Sequence, residues 1–496
     1  MDQQSAAVPN DGDTEVTKVT VQTELKLKQN IGLIRGASIV VGTVIGSGIF
    51  IFPGGTLRLA GSVGLALVIW GLGAVITFLN ALTWSELGSV VRKSGSEYAF
   101  LRQCYGPLPA FLFVWTGITI GAPSSLAVAS LTFSHYVLSQ VEFCGPVPDL
   151  LIKLCAVLML VYCVHLCAIG VASVYIPPDL LRCACAQSTA FATRVMVVCT
   201  FLKTAALCVI VVGGIVRMAQ GYTSVLSTGF SGSTTSSSDI ALAFYFINYS
   251  YGGWDNIYVV FEEVKNPKRN LLLSTGGGLL IVAVLYVLAN VSFLTVMTTD
   301  QLLASPAVAV TWGDVMLRPV SILMPLAIIA SVFGSASTAV FAGSSVMPEF
   351  FSFIHVRRYS PLPAVIFRIT LAVAFLMMGD IGDIINFLTF PNSVFQVMSV
   401  ASLFVFRRSR PDAARFFRVP LLVPALVIAY NTFLVVTPLV LDPRWEFLYA
   451  AVFITVGAIL YVPFVKYQLK PKVFDTVETK LQLLLEVSPT TYQKED

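Results

Sequence analysis

Gly42-Thr43-Val44-Ile45-Gly46-Ser47-Gly48-Ile49-Phe50 lies in the middle of the first long apolar run of the chain. Three glycines and two hydroxyl residues at the centre of a membrane-length segment weaken a helix. Each glycine costs about 1 kcal/mol against alanine and frees the backbone to leave helical geometry. In hydrocarbon, a broken helix survives only where its loose N–H and C=O groups face protein, water or a ligand. The stretch therefore reads as the unwound waist of a transmembrane helix, with bare amides offered to a carboxylate.

The surrounding composition sets the solvent. The 496 residues are 56% hydrophobic and 12% charged, with a mean hydropathy of +0.81. No soluble domain of this size is so poor in charge, so the bilayer is the solvent. Runs of about 20 apolar residues, enough for roughly 30 Å of hydrocarbon, recur about twelve times. Residues 1–30 form a polar tail without the apolar core of a secretory signal, and residues 468–496 form a second tail. Between them, 31–467 reads as one membrane domain: a first unit over about 31–217, a second over about 239–408, and two further helices over about 419–467. Basic residues favour alternate loops, among them Arg92, Lys93, Lys265, Lys268 and the cluster Arg407, Arg408, Arg410, Arg415 and Arg418. The opposite loops hold little beyond Arg58, Arg217, Arg318 and Arg444. This asymmetry puts both termini in the cytosol.

A second anomaly answers the first. Asn248-Tyr249-Ser250-Tyr251-Gly252-Gly253-Trp254-Asp255-Asn256 is again a glycine-broken polar centre, five spans after the first. Close helix packing through small residues accounts for either motif alone. At corresponding positions of two five-span units, the pair points instead to the substrate site of an inverted-repeat transporter. N–H groups opening a second half-helix suit a carboxylate, and carbonyls closing a first half-helix suit an ammonium. An α-amino acid carries both. Thr43, Ser47 and Gly48 are the candidates for the carboxylate, with Ile45 in the gap and Gly46 allowing close approach. The carbonyls of Val44, Tyr249 and Gly252 are the candidates for the amino group, with Ser250 beside them. Either Tyr249 or Tyr251 is placed to cap the bound side chain, the alternative being a packing role.

Ionisable residues at membrane depth are functional candidates. Lys203, in the fifth span, reads as a fixed cation joining the first and fifth helices, or else as a side chain snorkelling to the surface. Glu86, Asp255, Glu262 and Glu263 lie nearer the inner ends of their spans and read as partners of Arg and Lys in neighbouring loops. His135, His165 and His355 lack ligand spacing, and Cys183-Ala184-Cys185 lacks further ligands, so no metal is expected. Gly276-Gly277-Gly278 lacks the Lys-Ser/Thr ending of a phosphate loop. No cofactor, no catalytic residue and no nucleic-acid partner is indicated. Most cysteines fall within apolar runs and read as small buried hydrophobes. Cys144 sits instead in the turn Glu142-Phe143-Cys144-Gly145-Pro146 on the extracellular side, where an intermolecular bridge is favoured over a free thiol.

These residues resemble a known family. The segment Val41 to Phe50, Glu86-Leu87-Gly88, Lys93-Ser94-Gly95-Ser96-Glu97-Tyr98, Tyr251-Gly252-Gly253-Trp254, Glu262-Glu263-Val264-Lys265-Asn266-Pro267 and Ala307-Val308-Ala309-Val310-Thr311 are similar to those of the L-type amino-acid transporter family. Its members are the light chains of heteromeric amino-acid transporters, within the amino acid, polyamine and organocation superfamily. The resemblance implies an all-α polytopic fold: a LeuT-like 5+5 inverted repeat with discontinuous first and sixth helices. It also implies sodium-independent exchange of amino acids at the plasma membrane, and a disulfide to a single-span glycoprotein heavy chain. Cys144, followed by Pro146-Val147-Pro148, matches the bridging cysteine, and Lys203 matches the family's fifth-span lysine.

On substrate, the resemblance favours neutral amino acids. Ala122 and Asn392 stand where members handling anionic amino acids carry arginines, and Gly252 stands where one cationic branch carries an acidic residue. A charged side chain buried without a partner is costly. Leu481 to Val487 with Ser488-Pro489, and Asp255, resemble branches that also accept cationic substrates. Two departures stand out: Tyr175 to Ala190 reads as extra loop sequence, and the eighth helix is shortened after Ser345. Pro391 also replaces a residue usually apolar or aromatic. The departures support a second reading, a transport-inactive light-chain-like isoform acting as an assembly or sensing subunit.

Overall fold

The computed structural model describes residues 31–141, 143–145, 147–169, 178–342, 354–355, 362–469 and 487–488. The first apolar run forms α1 (Leu33–Val44) and α2 (Gly48–Ala60), which bend by 50° across a gap of three residues. Gly61, at φ +72°, ends α2, and Ser62 then opens α3 (Val63–Val91) by accepting from the Leu65 amide. A short surface helix, α4 (Ser96–Tyr105), leads to the third span. That span is α5 (Pro107–Thr116), a π turn over Gly117–Gly121, and α6 (Ala122–Leu138). Next come α7 (Asp149–Ile169) and α8 (Pro178–Ala219).

The sixth run breaks as the first does, into α9 (Ser237–Ser250) and the short α10 (Asn256–Val259). Then follow α11 (Pro267–Val296), α12 (Thr299–Ala304), α13 (Val308–Met316) and α14 (Leu323–Ala342). The chain closes with α15 (Leu362–Met378), α16 (Ile381–Ser409), α17 (Leu422–Leu441) and α18 (Trp445–Tyr461). Among the described residues, seven helices are long and apolar enough to cross a membrane, or eight with the bent pair counted as one span. The protein is an all-α polytopic membrane protein; its only described strands are Ile354–His355 and Val487–Ser488, paired antiparallel.

The ninth and tenth spans part at Gly379 and Asp380, within the Gly379-Asp380-Ile381-Gly382-Asp383 stretch that the sequence offers as their split. Asp380 and Asp383 cap α16 reciprocally, each carboxylate accepting from the other's backbone amide, and that capping box decides the start. Pro178 to Ala190, read as loop, forms the first turns of α8. The two polar tails up to Asn30 and over Val477 to Glu486, Glu142 and Pro146, Tyr175 to Pro177, and the chain just after Ser345 lie outside the described residues.

The broken helices sit at the heart of the bundle. Helix α2 runs along α9, α1 meets α10, and α11 packs on α1, α3 and α8. Large apolar side chains such as Leu280, Leu422 and Val440 remain exposed around the outside, where hydrocarbon is the solvent.

Candidate substrate site at the two helix breaks

At the first break, the amides of Gly46, Ser47, Gly48 and Ile49 close onto no backbone carbonyl among the described residues, that of Gly46 turning to the Tyr286 hydroxyl; pairing resumes with Phe50 N–H to Ser47 O at 3.1 Å. Space remains in front of them. A Cβ added to Gly46 meets nothing nearer than the Val44 carbonyl at 3.8 Å. Gly48 is the opposite case, since its Cβ would lie 2.5 Å from Ser250 Oγ and 2.8 Å from Ser250 Cα. Gly48 therefore lets α2 and α9 touch, while Gly46 keeps the gap open.

The sixth break is closed by its own bonds. Tyr251 N–H returns to Ile247 O at 2.9 Å and Gly252 N–H to Tyr249 O at 3.1 Å. Gly253 turns the chain at φ +91°, a conformation that strains any side chain. Its carbonyl receives the Asn256 amide, the Asn256 side chain and the Thr43 hydroxyl, the last at 2.9 Å. Thr43 Oγ1 also lies 2.7 Å from Ile39 O, and a hydroxyl has one proton. That proton is shared between the Ile39 carbonyl of its own helix and the Gly253 carbonyl of the other break, so the Thr43 hydroxyl is occupied by carbonyls on both sides.

Tyrosines hold the remaining loose carbonyls. Tyr286 of α11 reaches Val44 O at 2.9 Å and Ser250 O at 3.3 Å, spanning both breaks with one hydroxyl. Tyr136 donates to Phe50 O, and Tyr430 fixes the Asn248 side chain. Reading motifs missed Tyr286, because a lone tyrosine in a span looks like packing. The available signal is its hydroxyl, which needs a partner at membrane depth. Of the two aromatics proposed as a cap, Tyr251 is packed against Trp70 and Tyr286 and is 1% exposed. Tyr249 stays half-buried at the gap, edge-on to Phe52 and within hydrogen-bonding reach of the Ser47 side chain. Ser250 is buried, and its hydroxyl bonds back to Phe246 O.

Beside the breaks, α16 packs on the third span through α6 and the π turn. Asn392 is the one exposed residue of α16 between Ile381 and Leu403, with Leu388 and Thr389 buried one turn before it. Phe113 packs edge-on against Phe395, so one turn further along these antiparallel helices Gly117 and Asn392 face the same level. Gly117 is likewise exposed, with nothing within 4 Å of an added Cβ. The π turn places Gly121 and Ala122 next along the third span, and no charged side chain occurs over Gly117–Ala122. A π turn inserted in a helix often marks a functional site.

The end of the bundle carrying the basic loops is shut. Trp84, Phe100, Trp254 and Tyr258 pack edge to face, all at most 5% exposed. Outside this plug, the buried Glu86 carboxylate accepts a bidentate pair from Arg407 at 2.9 and 2.5 Å and the Val419 amide at 2.7 Å, with Arg415 at 3.6 Å. This is the loop partnership expected for Glu86. Glu262 differs, pairing with the Ser94 amide while its own amide binds Ser94 Oγ. Ser399 of α16 donates to the carboxylate of Glu97 on α4 at 2.5 Å. Burial pushes the Glu97 carboxyl up to about 8; the Ser399 bond opposes the shift and the nearby Asp255 carboxylate adds to it.

Two further candidates stand apart from the gap. Lys203 on α8 is 4% exposed, so it does not snorkel, and no described hydrogen bond or ion pair engages it. One turn before it, Thr200 packs against Gly42, which brings α8 to α1. Cys144 is an exposed free thiol between α6 and α7. Among the described residues, no group of three or more His, Cys, Asp or Glu side chains is arranged to hold a metal ion.

Comparison with known proteins gives a consistent relationship. The amino acid permease family matches residues 31–176 and 181–459, the two stretches parting inside the segment read as extra. The b(0,+)-type amino acid transporter 1 of Mus musculus is 36% identical over 490 residues, which cover 96% of this chain and 97% of that protein. The cystine/glutamate transporter of Homo sapiens is 36% identical over 481 residues, 94% of this chain and 92% of its own. The large neutral amino acids transporter small subunit 2 of Mus musculus is 34% identical over 471 residues, 92% of this chain and 85% of its own.

Proposed function

The chain belongs to the amino acid permease family, and from that premise we propose that it is a sodium-independent amino-acid exchanger of the plasma membrane, working by alternating access. The observation that carries this reading is the pair of apposed helix breaks, with amides at the first that no backbone carbonyl takes and hydroxyls of Thr43 and Tyr286 lying between the two. The substrate carboxylate binds at the amides of Gly46, Ser47 and Gly48, where the start of α2 supplies partial positive charge. Its ammonium lies on the free lone pairs of the Val44, Tyr249 and Gly252 carbonyls. Tyr249 closes over the bound amino acid.

The space beside Gly117, Ala122 and Asn392 takes the side chain. An uncharged lining favours neutral substrates, because an ionic side chain would be desolvated there without a partner. Exchange then proceeds by parting the aromatic plug and the Glu86–Arg407 pair at the basic end, which faces the cytosol by its charge. The matched breaks support a 5+5 inverted-repeat organisation within about twelve spans. Lys203 supplies a fixed positive charge beside α1. Cys144 bridges to a single-span glycoprotein heavy chain, as its exposure permits.

The test is uptake of labelled leucine, arginine and glutamate into proteoliposomes preloaded with unlabelled amino acid, without sodium, using the chain co-purified with a heavy chain. Leucine uptake that requires internal amino acid supports the exchanger and the neutral pocket. Arginine uptake extends the pocket to cations. Absence of all three from folded, disulfide-linked protein would abandon transport for the assembly subunit.

A further inference from the structure

At the end opposite the basic one, a cavity of about 200 Å³ lies between α15, α16 and α18, away from both helix breaks. Two carboxylates line it, Asp383 from the first turn of α16 and Glu446 from the first turn of α18. Four rings complete the wall: Phe375, Phe387, Trp445 and Tyr449. A carboxylate in a helix's first turn is favoured by the helix dipole, and Asp383 is further accounted for by the capping box.

Glu446 is not so accounted for. Its Oε2 is shut away from solvent with no hydrogen-bond partner among the described residues. Such an acceptor is costly to leave unpaired. Arg444, two residues away, turns to Asp442 at 2.7 and 2.8 Å, and no described hydrogen bond joins it to Glu446 Oε2. The cavity thus combines negative charge, an orphaned acceptor and aromatic surface. Those are the features that attract an ammonium group through charge, N–H donation and cation–π contact.

We propose that this cavity binds an organic ammonium group, carried by a lipid headgroup or by a free amine. The rim favours the lipid source. Met377, Trp445 and Leu448 are 59%, 72% and 52% exposed beside the opening, so it lies where the apolar belt meets the headgroup layer. A volume of this size also suits a headgroup better than a drug-sized ligand, whose pockets start at about 300 Å³. The inference concerns a site separate from the substrate gap and stands whether or not the chain exchanges amino acids.

The test is native mass spectrometry of the purified full chain with phosphatidylethanolamine, phosphatidylcholine or phosphatidylglycerol at equal concentration, and with free ethanolamine as competitor. Retention of the ammonium lipids but not phosphatidylglycerol is expected, and Glu446→Gln should weaken it about tenfold, or about 1.4 kcal/mol. Tyr449→Ala, at a position 44% exposed, is a second variant that preserves the test if the first fails to fold. Displacement of retained lipid by free ethanolamine at matched concentration assigns the site to soluble amines. Equal retention of phosphatidylglycerol, unchanged retention in both variants, or no adduct of any kind overturns the proposal.

Discussion

The two helix breaks share a cause and differ in what they leave open. Both arise where glycines cluster in an apolar run, yet at the first break the amides of Ser47, Gly48 and Ile49 are taken by no backbone carbonyl among the described residues. At the other break, the Gly253 carbonyl is taken by the Asn256 side chain, with the Thr43 hydroxyl beside it, and the Tyr286 hydroxyl sits between the Val44 and Ser250 carbonyls of the two breaks. The first break is therefore suited to bind, and the second to fix where the first half of the site ends. The difference teaches that a glycine cluster predicts departure from helical geometry, while its surroundings decide whether the freed groups are available.

The largest effect should come from forcing the breaks apart. Gly48→Val drives a side chain into the Ser250 backbone, which cannot yield as a side-chain tip can. Exchange in proteoliposomes should fall at least about 100-fold, since displacement by about 1 Å at a positioned site costs that much. Activity near that of the unaltered chain would mean that α2 and α9 need not touch. Tyr286→Phe should come next. It removes the single proton that the Val44 and Ser250 carbonyls share, at a cost of about 1–3 kcal/mol, and a lowered midpoint of thermal unfolding would show it. An unchanged midpoint would mean that water replaces the hydroxyl and that the two breaks are not stapled.

Gly46→Ala separates binding from packing. The added methyl meets no atom closer than 3.8 Å, so thermal stability should hold. The methyl would stand where the carboxylate approaches, and the half-saturating substrate concentration should rise about tenfold, or about 1.4 kcal/mol. A stable variant with unaltered saturation would move the carboxylate away from this gap.

Much of this contrast was legible in the residues and part was not. Glycine spacing marked both breaks, since it acts through local backbone freedom. Hydropathy runs through the start of α16 and leaves its edge open over several residues, whereas the reciprocal Asp380 and Asp383 caps settle it. Tyr286 was invisible to pattern reading because its meaning depends on which carbonyls lie within 3.3 Å across the bundle. The division between open Gly46 and packed Gly48 is likewise tertiary: the two are chemically identical, and Ser250 alone distinguishes their surroundings. Cys144 was readable as a surface thiol, because a polar turn between spans has few other places to go.

The smallest effect on transport, and the sharpest on the comparison, concerns pH. The first break carries no carboxylate, whereas just past the second Asp255 faces Glu97, whose carboxyl is raised to about 8 from 4.5. Below pH 4.5 the Glu97 carboxyl is neutral folded or unfolded and stability is at its full value. As pH rises from 4.5 toward 8, the unfolded chain releases that proton while the folded one keeps it, so stability declines, and above 8 the decline stops. Glu97→Gln removes the titration and keeps a group able to accept from Ser399. Unfolding midpoints taken between pH 5 and 8.5 should therefore converge at the acid end and separate in favour of Gln as pH rises. Parallel curves would mean that Glu97 ionises normally, and that the second break is as indifferent to pH as the first.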